Sequence, residues 1–118
     1  MDVITQFRYF ENVETYEAGK TIFEEGKPGE HMYVIMDGEV DIQVKGKSIY
    51  RAGSGELVGE MALIDSERRS ATAIALRDTR LVPVGEEQFL YMVKETPHFA
   101  LHVLRVLVGR LRHMDENI

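Results

Sequence analysis

The chain has 118 residues, of which 44% are hydrophobic, and it carries a formal net charge of -6 at pH 7. This length fits one globular domain and leaves no room for a second, while the acidic balance argues against the basic surface that nucleic-acid binding needs. The chain has no cysteine, which excludes a disulfide framework, and no apolar run approaches the roughly 20 residues of a membrane span. We therefore expect a cytoplasmic protein with neither a nucleic acid nor a membrane as partner.

The N-terminal segment has apolar residues at helical spacing, namely Val3, Ile4, Phe7 and Phe10. This pattern predicts a short amphipathic helix over residues 1–10 that closes one end of the domain. A frayed terminus is the alternative interpretation.

Glycine recurs every eight to ten residues in the next part of the chain, at Gly19, Gly29, Gly38, Gly46 and Gly55. This rhythm matches the turn spacing of a small antiparallel sandwich or barrel. Residues 32–36 form an apolar run of strand length, and residues 40–45 alternate between apolar and polar. We expect Asp37 and Gly38 to join these two strands as a tight hairpin.

Short strands are also predicted at residues 47–50, 57–59, 70–76 and 80–84. The last two are expected to pair with each other across a turn at residues 77–79. These segments bring the expected total to about eight strands.

After Gly85 the period changes to that of helices. One helix is predicted up to Thr96, and Pro97 then breaks it and begins a second helix that runs to about Met114. This last helix has two apolar stripes, one at 100, 104, 107, 111, 114 and 118 and the other at 99, 103 and 106. Since packing on a barrel needs one apolar face, the second stripe indicates either a partner helix or a lid over a ligand.

Three other motifs fail on their spacing or context. Residues 46–48 resemble the end of a P-loop, but Asp41 stands where the first glycine is required. The glycines at 53, 55 and 59 have the wrong spacing for a dinucleotide fingerprint. His98 and His102 are one helical turn apart, but no third ligand is nearby, so we expect no metal, and we find no catalytic constellation.

Segment 55–73 has the composition of an anion cradle. Gly59 allows close backbone approach, residues 61–63 can begin a helical turn with free N–H groups, and Arg69 adds a planar cation. Glu60 would repel a phosphate unless it accepted hydrogen bonds from a hydroxyl of the same ligand. A phosphate and a hydroxyl close together suggest a nucleotide. Because Arg68 and Arg69 are neighbours at the start of a predicted strand, only one of them can point inward.

Residues 59–63 (Gly-Glu-Met-Ala-Leu) and 69–73 (Arg-Ser-Ala-Thr-Ala) resemble the phosphate-binding cassette of cyclic-nucleotide-binding domains. Segments 19–26 and 29–40 resemble the first strands of the same family, and the two C-terminal helices resemble its B and C helices. The resemblance implies a mainly β fold, an eight-stranded antiparallel jelly-roll barrel with flanking N-terminal and C-terminal helices. It implies one domain over 1–118, with the barrel at 13–84, the cassette at 59–71 and the B and C helices at 86–118.

The resemblance also implies a ligand, cAMP or cGMP, and no metal. It selects Arg69 for the cyclic phosphate and leaves Arg68 in solvent, and it places Glu60 on the ribose 2′-hydroxyl. Ser70 favours cAMP mildly, because the family tends to have threonine there when it prefers cGMP. The full set of implied ligand-binding residues is Val58, Gly59, Glu60, Met61, Ala62, Arg69, Ser70, Ala71, Met114 and Asp115.

Two functions are expected from these residues. The first is a non-catalytic cyclic nucleotide sensor that signals to a downstream protein through movement of its C-terminal helix. The alternative is an interaction or dimerisation module that keeps the barrel without the ligand and uses that helix as a homodimer contact or as a docking surface. Because the chain stops at Ile118, the helix-turn-helix of the family's transcription factors is not expected.

Overall fold

The computed structural model describes residues 12–65 and 68–116. These residues form eight strands: β1 (Glu14–Tyr16), β2 (Thr21–Phe23), β3 (Met32–Asp37), β4 (Glu39–Val44), β5 (Lys47–Gly53), β6 (Leu57–Val58), β7 (Thr72–Ala75) and β8 (Thr79–Val84). They also form three helices: α1 (Glu60–Asp65), α2 (Glu86–Glu95) and α3 (Pro97–Glu116). The predicted N-terminal helix over residues 1–10 lies outside the described residues.

The strands form two four-stranded antiparallel sheets, in the orders β1-β8-β3-β6 and β2-β7-β4-β5. The predicted mainly β, jelly-roll-like fold with flanking helices is confirmed, although the two sheets do not close into a continuous barrel. Of the described helices, α1 leads away from β6, and α2 and α3 follow the last strand.

The predicted pairing of two sets of consecutive strands is wrong. β3 and β4 were expected to form a hairpin at Gly38, but they belong to different sheets, and so do β7 and β8. Gly38 has φ of 124°, and a Cβ built on it would lie 2.7 Å from the Thr79 Cα. The chain therefore turns a tight corner between sheets at this glycine, where a side chain would collide with neighbouring backbone. Consecutive strands do pair at Lys45–Gly46, where β4 meets β5.

The buried apolar residues form two clusters. One lies within the sandwich and includes Ile35, Val40 and Val58. The other lies between the sheet that contains β3 and the two C-terminal helices, and its largest buried side chain is Phe99. Because α3 packs on this second cluster, the sandwich fixes the position of α3 beside the loop that follows β6.

The packing of α3 changes the predicted apolar stripes. Phe99 and Val103, which belong to the stripe for which a partner helix or a lid was expected, are instead buried in the second cluster. Val106 of the same stripe and Leu107 of the other stripe pack against that cluster. The exposed large apolar side chains of α3 are Leu101, Leu104, Val108 and Leu111. The difference arises because the docking of the helix sets its rotation, and a helix with two apolar stripes does not fix that rotation by its periodicity alone.

Candidate functional site

A left-handed turn positions the acid of the predicted cradle. Gly59 has φ of 77°, and α1 begins directly after it, so Glu60 is the first residue of a helix. The turn directs the Glu60 side chain inward, where the residue is 4% exposed. A buried carboxylate needs partners, because an isolated buried charge costs several kcal/mol.

Backbone hydrogen bonds hold Arg69 against the segment between β2 and β3. Its N–H donates to the Lys27 carbonyl at 2.8 Å, and its own carbonyl accepts from the Gly26 N–H at 2.9 Å. The Arg69 residue is 7% exposed, and its burial lowers the pKa of the guanidinium. An arginine begins with so high a pKa that it remains a cation at neutral pH, so the site contains a buried positive charge.

The two neighbouring arginines have opposite environments. Arg68 is exposed and donates to the Gly26 carbonyl at 3.0 Å, whereas Arg69 is buried. Strand β7 begins only at Thr72, later than the predicted start at Ser70, so both arginines lie in the segment before the strand.

Arg69 and Glu60 line one cavity of about 570 Å³ between the sheet that contains β4 and helices α1 and α3. This volume is within the usual range of small-molecule sites. The cavity is lined by Phe23, Ile42, Ser48, Ile49, Tyr50, Gly59, Glu60, Met61, Ala62, Arg69, Ser70, Ala71 and Arg110.

Seven of the ten residues predicted for the site line this cavity, from Gly59 to Ala62 and from Arg69 to Ala71. Val58 does not line it, because its side chain is fully buried in the core of the sandwich. The side chains of Met114 and Asp115 lie outside the described residues, so their predicted contact with a base stays a prediction. The predicted phosphate donor at Ala62 has a partner already, since its N–H donates to the Gly59 carbonyl at 3.2 Å.

The site contains an arginine that the sequence did not predict. Arg110 of α3 forms an ion pair with Glu60, from Nη1 to Oε1, and donates from Nη2 to the Leu57 carbonyl. Its guanidinium also lies over the Tyr50 ring, 4.8 Å from the centroid. A polar residue on an amphipathic helix is ordinarily exposed to solvent, so nothing local in the sequence distinguishes Arg110 from the exposed Arg105 and Arg112.

The cavity also contains polar atoms that lack a hydrogen bond. Glu60 Oε2, Arg69 Nε and Arg110 Nε are all buried, and none of them has a hydrogen-bond partner among the described residues. An unpaired buried polar group costs about 1 to 3 kcal/mol. One acceptor and two donors on residues that line the cavity are therefore unpaired, which is the complement of a ligand that supplies a hydroxyl and an anionic oxygen.

A second cavity, of about 610 Å³, lies at the start of α2. Its walls include three carboxylates, from Glu30, Glu86 and Glu87. This negative lining disfavours an anion, so charge rather than size distinguishes the first cavity as the candidate site.

His98 and His102 belong to no cluster of potential metal ligands among the residues that the structure describes. Across those parts of the chain, no three His, Cys, Asp or Glu side chains are close enough to share an ion. His102 lies instead beside the loop before β6, with Nε2 3.1 Å from the Gly55 carbonyl. Together with Arg110, it attaches α3 to the segment that leads into the cavity.

The fold and the site together define a β-sandwich domain that can hold a small anionic ligand next to a C-terminal helix. Residues 13–96 match the family model of the cyclic nucleotide-binding domain. The chain belongs to the cyclic nucleotide-binding domain family.

Comparison with individual proteins agrees with this family. The chain is 34% identical over 105 residues to the cyclic AMP receptor protein of Thermus thermophilus, covering 85% of this chain and 49% of that protein. The crystal structure of the Thermus thermophilus catabolite activator protein has a TM-score of 0.81 at 33% identity, covering 98% of this chain and 56% of the other. A structure from work on a cyclic-GMP-dependent signalling pathway that regulates bacterial phytopathogenesis has a TM-score of 0.76 at 30% identity, covering 92% of this chain and 89% of the other.

The chain spans about half the length of the Thermus thermophilus protein and of a CRP-like cAMP-activated global transcriptional regulator from Mycobacterium tuberculosis. Within the described residues, no helix is long and apolar enough to cross a membrane.

Proposed function

We propose that this domain is a non-catalytic sensor that binds cAMP or cGMP in the cavity between Glu60 and Arg69. The observation that carries the proposal is the pair of buried, unpaired atoms in one cavity, the acceptor Glu60 Oε2 and the donor Arg69 Nε. A cyclic nucleotide presents a ribose 2′-hydroxyl and a charged cyclic phosphate on the same sugar. It therefore offers a partner to each of these atoms at once.

Arg69 is proposed to bind the cyclic phosphate and Glu60 the 2′-hydroxyl. Oε1 of Glu60 already accepts from Arg110, so Oε2 is the oxygen that can accept from the ribose. The family resemblance adds the backbone N–H groups of Met61 and Ala71 and the Ser70 hydroxyl as phosphate donors. It also adds the Ala62 N–H, which would exchange its bond to the Gly59 carbonyl for one to the phosphate. The base is proposed to lie against the apolar and aromatic part of the cavity lining, which includes Ile42, Ile49 and Tyr50.

The absence of catalysis is part of the proposal and is supported by the lining of the cavity. The described lining contains no histidine, and the Ser48 hydroxyl donates to the buried Asp41 carboxylate. A nucleophile paired with a neutral base is therefore not evident among these residues.

Signalling is proposed to pass through α3. Arg110 connects this helix directly to Glu60, the carboxylate that is proposed to hold the ribose. Any ligand that changes the charge or hydrogen bonding of Glu60 therefore changes the free energy with which α3 docks, and the converse also holds. Met114 and Asp115 remain proposed contacts to the base from the same helix.

Calorimetric titration with cAMP and with cGMP tests the proposal. Arg69→Lys removes the two parallel hydrogen bonds that a guanidinium can give a phosphate, and should weaken binding by about 1 to 3 kcal/mol, or roughly 5- to 150-fold. The matched control is Arg68→Lys on the adjacent, exposed residue, which should leave the affinity unchanged. Glu60→Ala should weaken binding of the cyclic ribonucleotides while leaving the affinity for 2′-deoxy analogues less affected.

The proposal fails if neither nucleotide binds at millimolar concentration. It also fails if the Arg69 and Arg68 variants bind equally well. Turnover of the nucleotide during the titration would contradict the non-catalytic part alone.

A second candidate function is an interaction module that forms a homodimer through α3. It is favoured by the exposed side chains of Leu101, Leu104, Val108 and Leu111, which repeat at the alternating spacing of three and four residues seen in coiled coils. Sedimentation with and without nucleotide separates the two candidates. A dimer that forms without nucleotide, in a protein that binds neither nucleotide, would favour the module.

The domain limits are also proposed: a barrel over 13–84, a cassette over 59–71 and the B and C helices over 86–118. A cytoplasmic location and an unidentified downstream protein partner belong to the same proposal. Proteolysis of the nucleotide-bound protein, with mass measurement of the stable fragment, tests the limits.

A further inference from the structure

The guanidinium of Arg69 lies against a pair of aromatic rings. Its Cζ is 4.2 Å from the centroid of the Phe23 ring and 5.9 Å from that of Tyr33. The two rings are stacked, with centroids 6.1 Å apart and planes inclined by 17°. The rings therefore present an electron-rich face to the cation from one side.

Two glycines enclose the same guanidinium. A Cβ built on Gly59 would lie 2.6 Å from Arg69 Nη1, and one built on Gly29 would overlap Nε and Cζ and lie 2.7 Å from Nη2. Distances this short cannot occur between real atoms, so the guanidinium occupies the space that a side chain would need at either position. Hydrogen bonding contributes less to this arrangement, since the bond from Nη1 to the Gly59 carbonyl is 3.3 Å long.

We propose that Gly29, Gly59 and Phe23 form a collar that holds Arg69 in its phosphate-binding orientation, and that Gly29 is a positioning residue for the ligand. The inference rests on the proposed function of Arg69. A free arginine side chain loses rotamer freedom when it binds a phosphate, and a guanidinium that is already fixed loses less. The collar lies on residues that precede the cassette or begin it, so the phosphate site is assembled from separate parts of the chain.

Gly29 is the position at which the collar can be tested most directly. Its φ is not in the left-handed region, unlike the 77° of Gly59, so alanine is compatible with its backbone. The added methyl group would meet the end of a long side chain, which can rotate away. Gly29→Ala should therefore displace Arg69 at little cost to folding.

The first measurement is the NMR signal of the Arg69 Nε–H, assigned by its loss in Arg69→Lys. In the unmodified protein the Phe23 ring should shift this signal upfield, and burial should slow its exchange with water. Gly29→Ala should move it to the position of an exposed arginine. The control is Gly53→Ala, a glycine without left-handed φ whose added Cβ has its nearest neighbour at 3.8 Å, and it should leave the signal in place.

The second measurement is the dissociation constant for cAMP and cGMP. Gly29→Ala should weaken binding about 10-fold, since a misplaced binding group loses its aligned contacts. In the Arg69→Lys background the same change should have no further effect, because the collar acts through the guanidinium. Phe23→Leu provides a second variant, in which the Nε–H signal should lose its ring-current shift and binding should weaken.

The collar is overturned if Gly29→Ala leaves the Arg69 signal unchanged, or if it weakens binding equally in the Arg69→Lys background. If Gly29→Ala does not fold, Phe23→Leu decides the question. An Arg69 Nε–H signal that stays at the same position in Phe23→Leu as in the unmodified protein would then contradict the collar. If the unmodified protein binds neither nucleotide, the proposed function fails, while the NMR comparison still decides whether the collar orients Arg69.

Discussion

The contact between Arg110 and Glu60 gives a quantitative prediction for the ligand-free protein. The Glu60 side chain is 6% exposed and that of Arg110 is 19% exposed, so the pair is almost fully removed from water. Removing one partner of a buried ion pair costs about 3 to 5 kcal/mol. Because the Arg110 side chain keeps some contact with water, which screens the charge, we expect Arg110→Met to cost about 2 to 3 kcal/mol in free energy of unfolding.

A double-mutant cycle isolates the pair from the other contacts of Arg110. Loss of the hydrogen bond to the Leu57 carbonyl and of the contact with Tyr50 occurs in every Arg110→Met protein, so both cancel in the cycle. The free energies of unfolding of the unmodified protein, Arg110→Met, Glu60→Gln and the double variant are measured in urea. We expect a coupling energy of about 1.5 kcal/mol, within the range for residues in direct contact.

The matched control for this cycle is Arg105→Met, on the same helix but exposed. It should change the free energy of unfolding by no more than about 0.5 kcal/mol. A coupling energy below about 0.5 kcal/mol would refute the reasoning, as would an equal cost for the two arginine substitutions. Either result would mean that the ion pair with Glu60 contributes little to the docking of α3.

Two further predictions concern stability. Phe99→Ala should cost about 3 to 5 kcal/mol in free energy of unfolding, because Phe99 is fully buried on the inner face of α3. Leu111→Ala, on the same helix but 60% exposed, should cost less than about 0.5 kcal/mol in dilute monomer, and equal shifts of the urea midpoint would contradict the packing of the helix. Burial first, and then neighbouring carboxylates, raise the pKa values of Tyr16, Tyr33 and Tyr50 above the unfolded value of about 10. The contribution of these raised pKa values to stability is therefore fully present below about pH 10 and is lost as the pH rises through the folded-state pKa values. The urea midpoint should fall as tyrosinate absorbance appears, and a midpoint that stays constant would contradict this prediction.

The sequence by itself indicated an anion cradle at residues 55–73 through local signals, and the resemblance of the same residues to a known family supplied the cassette and its site residues. Gly59 is needed where the backbone turns left-handed, the apolar residues 61–63 can make a helical turn, and Arg69 follows at a short distance along the chain. The strands were also recognisable, since alternation and glycine spacing depend on neighbouring residues. Seven of the ten predicted site residues consequently line one cavity.

The tertiary structure decided which strands pair and which helical side chains reach the site. The turn at Gly38 was expected to be a hairpin, but it is a corner between sheets, because strand pairing depends on contacts across the whole sandwich. The rotation of α3 is likewise set by burial of Phe99 and Leu107, and that rotation points Arg110 inward while it leaves Arg105 in solvent. Long-range packing has no periodic signature in the sequence, so the contact between Arg110 and Glu60 became visible only once the helix was docked on the sandwich.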